Sequence, residues 1–515
     1  MNQTLIEQYL HVTTTNRLWT RNRDRWEYAL EGYMGGEEWK RGLHLTKYVN
    51  ETNAEYQARL YATPLENHCQ SVIQTYVSFL FREEPKRELG SLEYDPAVAD
   101  FLEDADLDGR SLQSFMKEVS IWTSVFGHAW ILVVKPNVGA QTKGDELQQG
   151  VRPYVNLITP LLVTDWSWNR QPNGRYNLTY LKYIEDANDS VSTIKEWFEN
   201  EIHTWVVDHE YKTIKEHIIE PNQLGEIPAI CAYNQKSPVR GIGVSDIADI
   251  LDCQKFIFNM TSEVEQSVRI NGHPALVKTA GTEASAGAGA IIQMEDNLDP
   301  GLKPFILGVS TDVNQIFTAI EHYSNIIDKM ANTGSIRATE SRRMSGVAQE
   351  QEFQLLNARL SSKADYLELT EEQIWQWFAY YQGTSWDGEI KYPDSFAIRD
   401  TDAEIDRLVK AKQAATDPVV LRKIDEHILE SMGEEDSDLP FIDPNPQVGR
   451  TYEDGEVINS NLPAAYQPAS NAEVPQGQNC GNCEYYKAGE LYCTKFDAPV
   501  RAVYWCAKWE PYEED

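Results

Sequence analysis

Four cysteines stand near the end of the sequence: Cys480, Cys483, Cys493 and Cys506, spaced C-x2-C-x9-C-x12-C. Only three others occur in 515 residues, Cys69, Cys231 and Cys253. Thiolates are ligands for zinc and for the soft iron of iron–sulfur centres. A single C-x2-C pair is shared by zinc ribbons, redox motifs and clusters. A second such pair would favour a zinc ribbon, but here twelve residues separate the third and fourth cysteines. Tyr485, Tyr486, Phe496, Trp505 and Trp509 are interleaved with them and predict a water-poor pocket. A module of ~35 residues buries too little surface to fold alone, so bound metal would supply folding free energy. The donor set leaves a [4Fe–4S] cluster, a zinc ion, and disulfides or free thiols as the options.

The rest of the chain carries no catalytic signature. It has no Walker A sequence, G-x-S-x-G, H-E-x-x-H or Rossmann fingerprint after a strand. Gly287-Ala288-Gly289 reads as a flexible tip, and His203 and His209 lack zinc-site partners nearby in sequence. Cys69, Cys231 and Cys253 read as apolar packing positions. No catalytic residue is assigned, and the chain is not read as an enzyme. Its 80 acidic and 46 basic residues give a net charge of −34. That opposes a sequence-specific DNA reader, which needs a basic stripe. It suits either plain solubility or a surface along which a polyanion slides without sticking. Residues 1–30 lack the apolar run of a secretory signal. No apolar run approaches the ~20 residues of a membrane span. Both predict a soluble chain made in a cytoplasm, with no membrane partner.

The elements that must position these groups follow from periodicity. Residues 1–90 read as helical. Leu112, Phe115, Met116, Val119, Trp122 and Phe126 mark a helix begun at Gly109-Arg110-Ser111 and ended by Gly127. Strands follow at Ala129–Lys135, Tyr154–Ile158, Asn177–Ile184, Ile202–Val207 and Lys212–Ile219, with a polar loop over 139–150. A long helix, capped by Ser245, carries Ile247, Ile250, Ile257, Met260, Val264 and Val268. A small β-rich insert leads to a second helix, capped by Thr311, with Val313, Ile316, Ile320, Tyr323, Ile327 and Met330. A polar loop holding Arg337, Arg342 and Arg343 precedes the longest helix, over Val347–Tyr381. Shorter helices are expected at Asp402–Ala415 and Pro418–Met432, and then an acidic, proline-containing linker.

This order, an α+β body, two helices around a small insert, a loop and a very long helix, resembles the portal proteins of tailed bacteriophages. Local sequence carries the same resemblance: Glu55-Tyr56-Gln57-Ala58-Arg59-Leu60, Leu80-Phe81-Arg82, Gly241-Ile242-Gly243-Val244-Ser245-Asp246-Ile247 and Gly272-His273-Pro274-Ala275-Leu276. The resemblance divides the chain into a wing (1–242), a first stem helix (243–274), a clip (275–310) and a second stem helix (311–332). A tunnel loop (333–346), a long helix (347–383), a crown-like region (384–435), a linker (436–477) and the cysteine module (478–515) complete it. It implies a homo-oligomeric, dodecameric ring at one capsid vertex of the virion, assembled in the host cytoplasm. Its implied partners are double-stranded DNA passing non-specifically, the terminase, the major capsid protein and a head–tail adaptor. Arg337, Arg342 and Arg343 would then be phosphate contacts in the channel, or salt-bridge partners. The readings left beside it are a metal-dependent redox protein centred on the cysteines and a non-portal virion adaptor.

Residues 478–511 resemble high-potential iron–sulfur proteins, with Val500, Trp505, Cys506 and Trp509 at matching offsets from Cys493. That resemblance implies a [4Fe–4S] cluster on Cys480, Cys483, Cys493 and Cys506, with zinc as the alternative. One position departs: the family has glycine where this chain has Tyr504. A left-handed turn there would be strained by a tyrosine, so a different local backbone is expected.

Overall fold

The computed structural model describes residues 3–136, 139, 142–272, 275–277, 299, 301, 305–307, 312–337, 346–396, 408–412, 421, 423–424, 452, 458, 461–463, 465–470, 474–487, 489 and 491–511. The chain forms two compact units, residues 1–397 and 398–515. Both mix helix and sheet, so the class is α+β. Among the described residues no helix is long and apolar enough to cross a membrane.

The first unit begins with helices Gln3–Thr13, Arg17–Met34, Gly36–Arg41, Asn53–Ala62 and His68–Leu80. Three of them start where a side chain satisfies a free backbone N–H: Asn16, Thr52 and Asn67 cap the second, fourth and fifth. At Asn53–Ala62, Thr52 Oγ1 accepts from Glu55 N while Glu55 Oε2 accepts from Thr52 N, a reciprocal capping box. Helix Leu112–Phe126 is capped by Ser111 and stopped by Gly127 at φ +90°. Its apolar positions Leu112, Phe115, Met116, Val119 and Phe126 are buried. Each such side chain contributes about 1.5–3 kcal/mol on burial.

Two antiparallel sheets follow. Strand His128–Val134 lies between Tyr154–Ile158 and Ala229–Tyr233. It is buried over six of its seven residues, as expected for a central strand covered on both faces. A five-stranded meander runs through Val163–Arg170, Tyr176–Ala187, Val191–Phe198, Glu201–Asp208 and Thr213–Pro221. The first helix packs on this meander through Val12 against Ile194, Trp205 and Val207. Buried Lys182 donates to the carbonyls of Val12 and Thr14 at that helix's end. Strands Val163–Arg170 and Val191–Phe198 are additions to the sequence reading, and the loop over 139–150 contains a short helix, Lys143–Gln148.

Helices Ile250–Gly272 and Val313–Ala331 pack together, with Phe256 and Tyr323 rings 4.1 Å apart. Beyond them, Ala275–Val277 pairs antiparallel with Phe305–Leu307. The first helix starts at Ile250, five residues after the expected cap Ser245. The residues between are fixed by tertiary bonds instead: Asp246 N and Ser245 Oγ both donate to the carbonyl of Ser124. The expected cap Thr311 lies outside the described residues, and Asp312 caps the second helix through Asn314 N. The pair is buried at its root, through Ile250, Leu251, Ile257, Phe258, Ile327 and Ala331. Toward its tip, Val268, Ile270, Phe305 and Phe317 are exposed. Helix Gly346–Tyr381 then spans about 54 Å, burying Leu356, Leu360, Ala364, Leu367, Ile374 and Phe378 as the spacing predicts. Most residues of 275–310, 333–346, 384–435 and 436–477 lie outside the described set.

Candidate functional site

The cysteine module sits in the second unit. Cys480–Asn482 forms one tight turn in which Cys483 N donates to the carbonyl of Cys480. That turn puts the two ends of C-x2-C side by side. Cys493 is carried by a three-stranded antiparallel sheet, Tyr486–Lys487, Tyr492–Cys493 and Ala498–Pro499, in register with Tyr486 and Ala498. Leu491 and Asp497 take positive φ at its turns. Cys506 follows strand Tyr504–Trp505, and Cys483 bridges to Pro511.

All four cysteines are buried and reduced, and all four line one cavity. The cavity is small, with about 10 Å³ of room for a water-sized sphere. Tyr485, Tyr486, Phe496 and Trp509 supply aromatic walls, and Lys495 and Lys508 are its charged lining. Trp505, expected to help exclude water, does not line it; its indole N–H donates to Gln478 Oε1 at 3.0 Å. Trp509 Nε1 donates to Asn479 O and Asn482 Oδ1, fixing the wall to the C-x2-C turn. Burial pushes the Cys480 thiol up to about 12, with Cys506, Cys483 and Cys493 adding to it. Burial raises the Cys506 thiol as well. Cys480 and Cys506 so placed are poor thiolates without a cation beside them. Among the described residues no group of three His, Cys, Asp or Glu side chains is placed to hold a metal ion.

Tyr504 accounts for its own departure from the glycine of the resemblance. It is absent from the positive-φ residues, and its ring is buried between Tyr452 and Tyr466.

The loop arginines separate. Arg337 closes the short helix Gly334–Arg337, pairs with Asp328 at 3.1 Å and meets His68 Nδ1 at 3.0 Å. It is an ion-paired, half-buried residue within the chain. Arg342 and Arg343 lie outside the described residues.

The sequence reading missed the groups that fix the root of the helix pair. Asp246 and Lys363 form a buried ion pair at 2.6 Å, and Arg359 joins Asp246 at 2.9 Å. Lys363 also donates to Ser124 Oγ and Asn234 Oδ1. Burial pushes the Asp246 carboxyl up, but Lys363 and Arg359 outweigh it and hold it at about 2. Arg359 and Tyr76 reach the carbonyls of Met330 and Ala331 at the end of the second helix. Arg59, 4% exposed, grips Glu51 with two bonds of 2.8 Å and donates to Ser262 on the first helix. Arg59 and Asp246 both fall in the quoted portal-like stretches. The missing signal was their pairing partners, far away in sequence.

No protein-family model and no curated protein matches the chain. Solved structures do. One chain, from the neck of an empty gene transfer agent (GTA) particle computed with C6 symmetry, is 10% identical with TM-score 0.43, covering 74% of this chain and 95% of that one. A chain from the virion of a native GTA particle is 10% identical with TM-score 0.39, covering 71% and 85%. A third, from the neck of a native GTA particle computed with C12 symmetry, is 10% identical with TM-score 0.42, covering 69% and 89%. At those scores the description of this fold rests on its own elements.

Proposed function

We propose that this chain is a portal subunit: a ring-forming virion protein through which double-stranded DNA enters and leaves the capsid. The observation that carries the reading is the helix–ladder–helix unit. Helices Ile250–Gly272 and Val313–Ala331 flank the paired strands Ala275–Val277 and Phe305–Leu307, and the 36-residue helix Gly346–Tyr381 follows. That is the element order of stem, clip and long helix. The net charge of −34 suits a conduit that must not hold a polyanion. Terminase, the major capsid protein and a head–tail adaptor are the partners this role requires. Electron microscopy of the purified protein tests it: rings with a central channel are expected, and a monomer under all assembly conditions overturns it.

The cysteine module, on this reading, holds a [4Fe–4S] cluster on Cys480, Cys483, Cys493 and Cys506. Supporting it are the all-thiol donor set and the aromatic walls of the one cavity that the four cysteines line. The cluster would contribute folding free energy to a small unit, with burial tuning its potential. Elemental analysis decides between the metals: iron with absorbance near 400 nm is expected, and one equivalent of zinc without colour overturns it.

A further inference from the structure

Residues 452–470 belong to the stretch that the sequence assigns to a linker, yet their described residues pack behind the cysteines. Tyr452, Leu462 and Tyr466 are buried in one apolar cluster with Cys480, Cys493, Tyr504 and Cys506. Tyr466 stacks on Tyr504 with ring centroids 5.1 Å apart, and Tyr452 meets Tyr504 edge-on at the same distance. The Arg501 guanidinium lies 3.8 Å over Tyr452.

We propose that this strap is a positioning element of the cysteine centre, with Tyr466 and Tyr504 holding Cys480 and Cys506 in place. The inference rests on the reading of the four cysteines as a metal centre. The two halves of the donor set are supported differently. Cys493 is held by its own three-stranded sheet, and Cys483 stands between that sheet and Pro511. Cys506 instead follows Tyr504–Trp505, whose partner strand is Gln467–Pro468 from the strap. A two-stranded pairing this short does not persist without packing, and the tyrosine stack supplies it.

Cys480 depends on the strap through one intermediate. Gly481 N donates to the carbonyl of Ala502 at 3.0 Å. The turn containing Ala502 is in turn held by the strap, because Arg501 N donates to Tyr466 Oη at 2.8 Å and Ala469 N donates to Val503 O at 2.9 Å. Removing the Tyr466 ring therefore frees two of four ligands while leaving every thiol in the chain. Groups behind metal ligands act in this way on affinity without touching the metal.

The test uses the full chain, reconstituted anaerobically with iron and sulfide. Iron per chain, the visible circular dichroism and the rate of iron loss to a chelator are measured for wild type, Tyr466→Ala and Tyr466→Phe. Tyr466→Ala is expected to lose iron about tenfold faster, with an altered visible dichroism. Tyr466→Phe keeps the ring stack on Tyr504 but loses the acceptor for Arg501 N, so it should restore only part of the retention. An unchanged rate and spectrum in Tyr466→Ala overturn the positioning role. Wild type that takes up neither iron nor zinc overturns the metal reading instead, and this inference with it. Hydrogen exchange on wild type needs no variant to fold: loading with iron should slow exchange across 466–470, and no change there counts against the proposal.

Discussion

The carbonyl of Gly127 lies against the α-carbon of Gly243, leaving no room for a Cβ on either residue. Gly127 ends the helix Leu112–Phe126, and Gly243 belongs to the segment leading into Ile250–Gly272. Asn234 N also bonds the Gly127 carbonyl at 2.9 Å, so the backbone there cannot give way. Gly243→Ala is expected to destabilise the first unit by about 2–3 kcal/mol, read as a lower unfolding midpoint. A midpoint equal to wild type would show the two segments to be separable.

Lys363→Met should be more damaging, because it leaves Asp246 buried with only Arg359 for compensation. Breaking such a pair costs roughly 3–5 kcal/mol. Asp246→Asn combined with Lys363→Met should recover part of that loss. The pH dependence has a definite sign: a carboxylate held at about 2, below its ordinary 3.8, stabilises the fold at neutral pH. Its contribution falls away as the solution is taken from about pH 4 down through pH 2. The difference between wild type and Lys363→Met should shrink over that window in acid-titrated denaturation curves.

His128 acts over a higher window. It is fully buried against Trp26, and burial holds it at about 3 against an ordinary 6.5. Below pH 6.5 the unfolded chain takes up a proton that the folded chain refuses, so stability falls with pH down to about pH 3. His128→Phe should flatten the stability profile between about pH 6.5 and pH 4. An unchanged slope there would mean that other groups dominate.

Cys493→Ser removes one donor from the best-supported corner of the module. Metal content should fall to near zero and the second unit should lose protection from protease. Rings, if they form, should form as before. Loss of ring assembly in this variant would tie the module to the body's function.

Arg337→Gln distinguishes an ion-paired arginine from a phosphate contact. The pair with Asp328 predicts lower stability of the loop's root, with the salt dependence of DNA binding unchanged. A salt slope smaller by about one would assign Arg337 to the channel instead.

Much of the helical framework was legible because its periods are local. Leu356, Leu360, Ala364, Leu367, Ile374 and Phe378 recur at helical spacing and are buried on one side. The start of the first long helix was less legible: Ser245 does accept from Ile247 N, but its hydroxyl also donates to Ser124, about 120 residues away in the chain, and the helix begins only at Ile250. The five-stranded meander was half seen, since Val163–Arg170 and Val191–Phe198 mix polar and aromatic residues on a partly solvated sheet. The four cysteines announced themselves by spacing alone. Their support did not: Tyr466 sits among prolines, asparagines and a glutamine, Tyr452 sits beside Glu453 and Asp454, and Tyr504, standing where a glycine is expected, pointed only to a different backbone.

Among the described residues, the helix pair Ile250–Gly272 and Val313–Ala331 is buried at its root and exposed toward its tip, and this decides what a melting experiment can see. Substitutions at Ile257 or Ile327 remove atoms from the core and will register as heat lability. Phe317 and Val268 already stand in water, so changing them leaves the melting curve of an isolated chain nearly untouched. Thermal screens of single chains are therefore blind to the outer half of this hairpin, and variants there must be sorted by a readout other than heat.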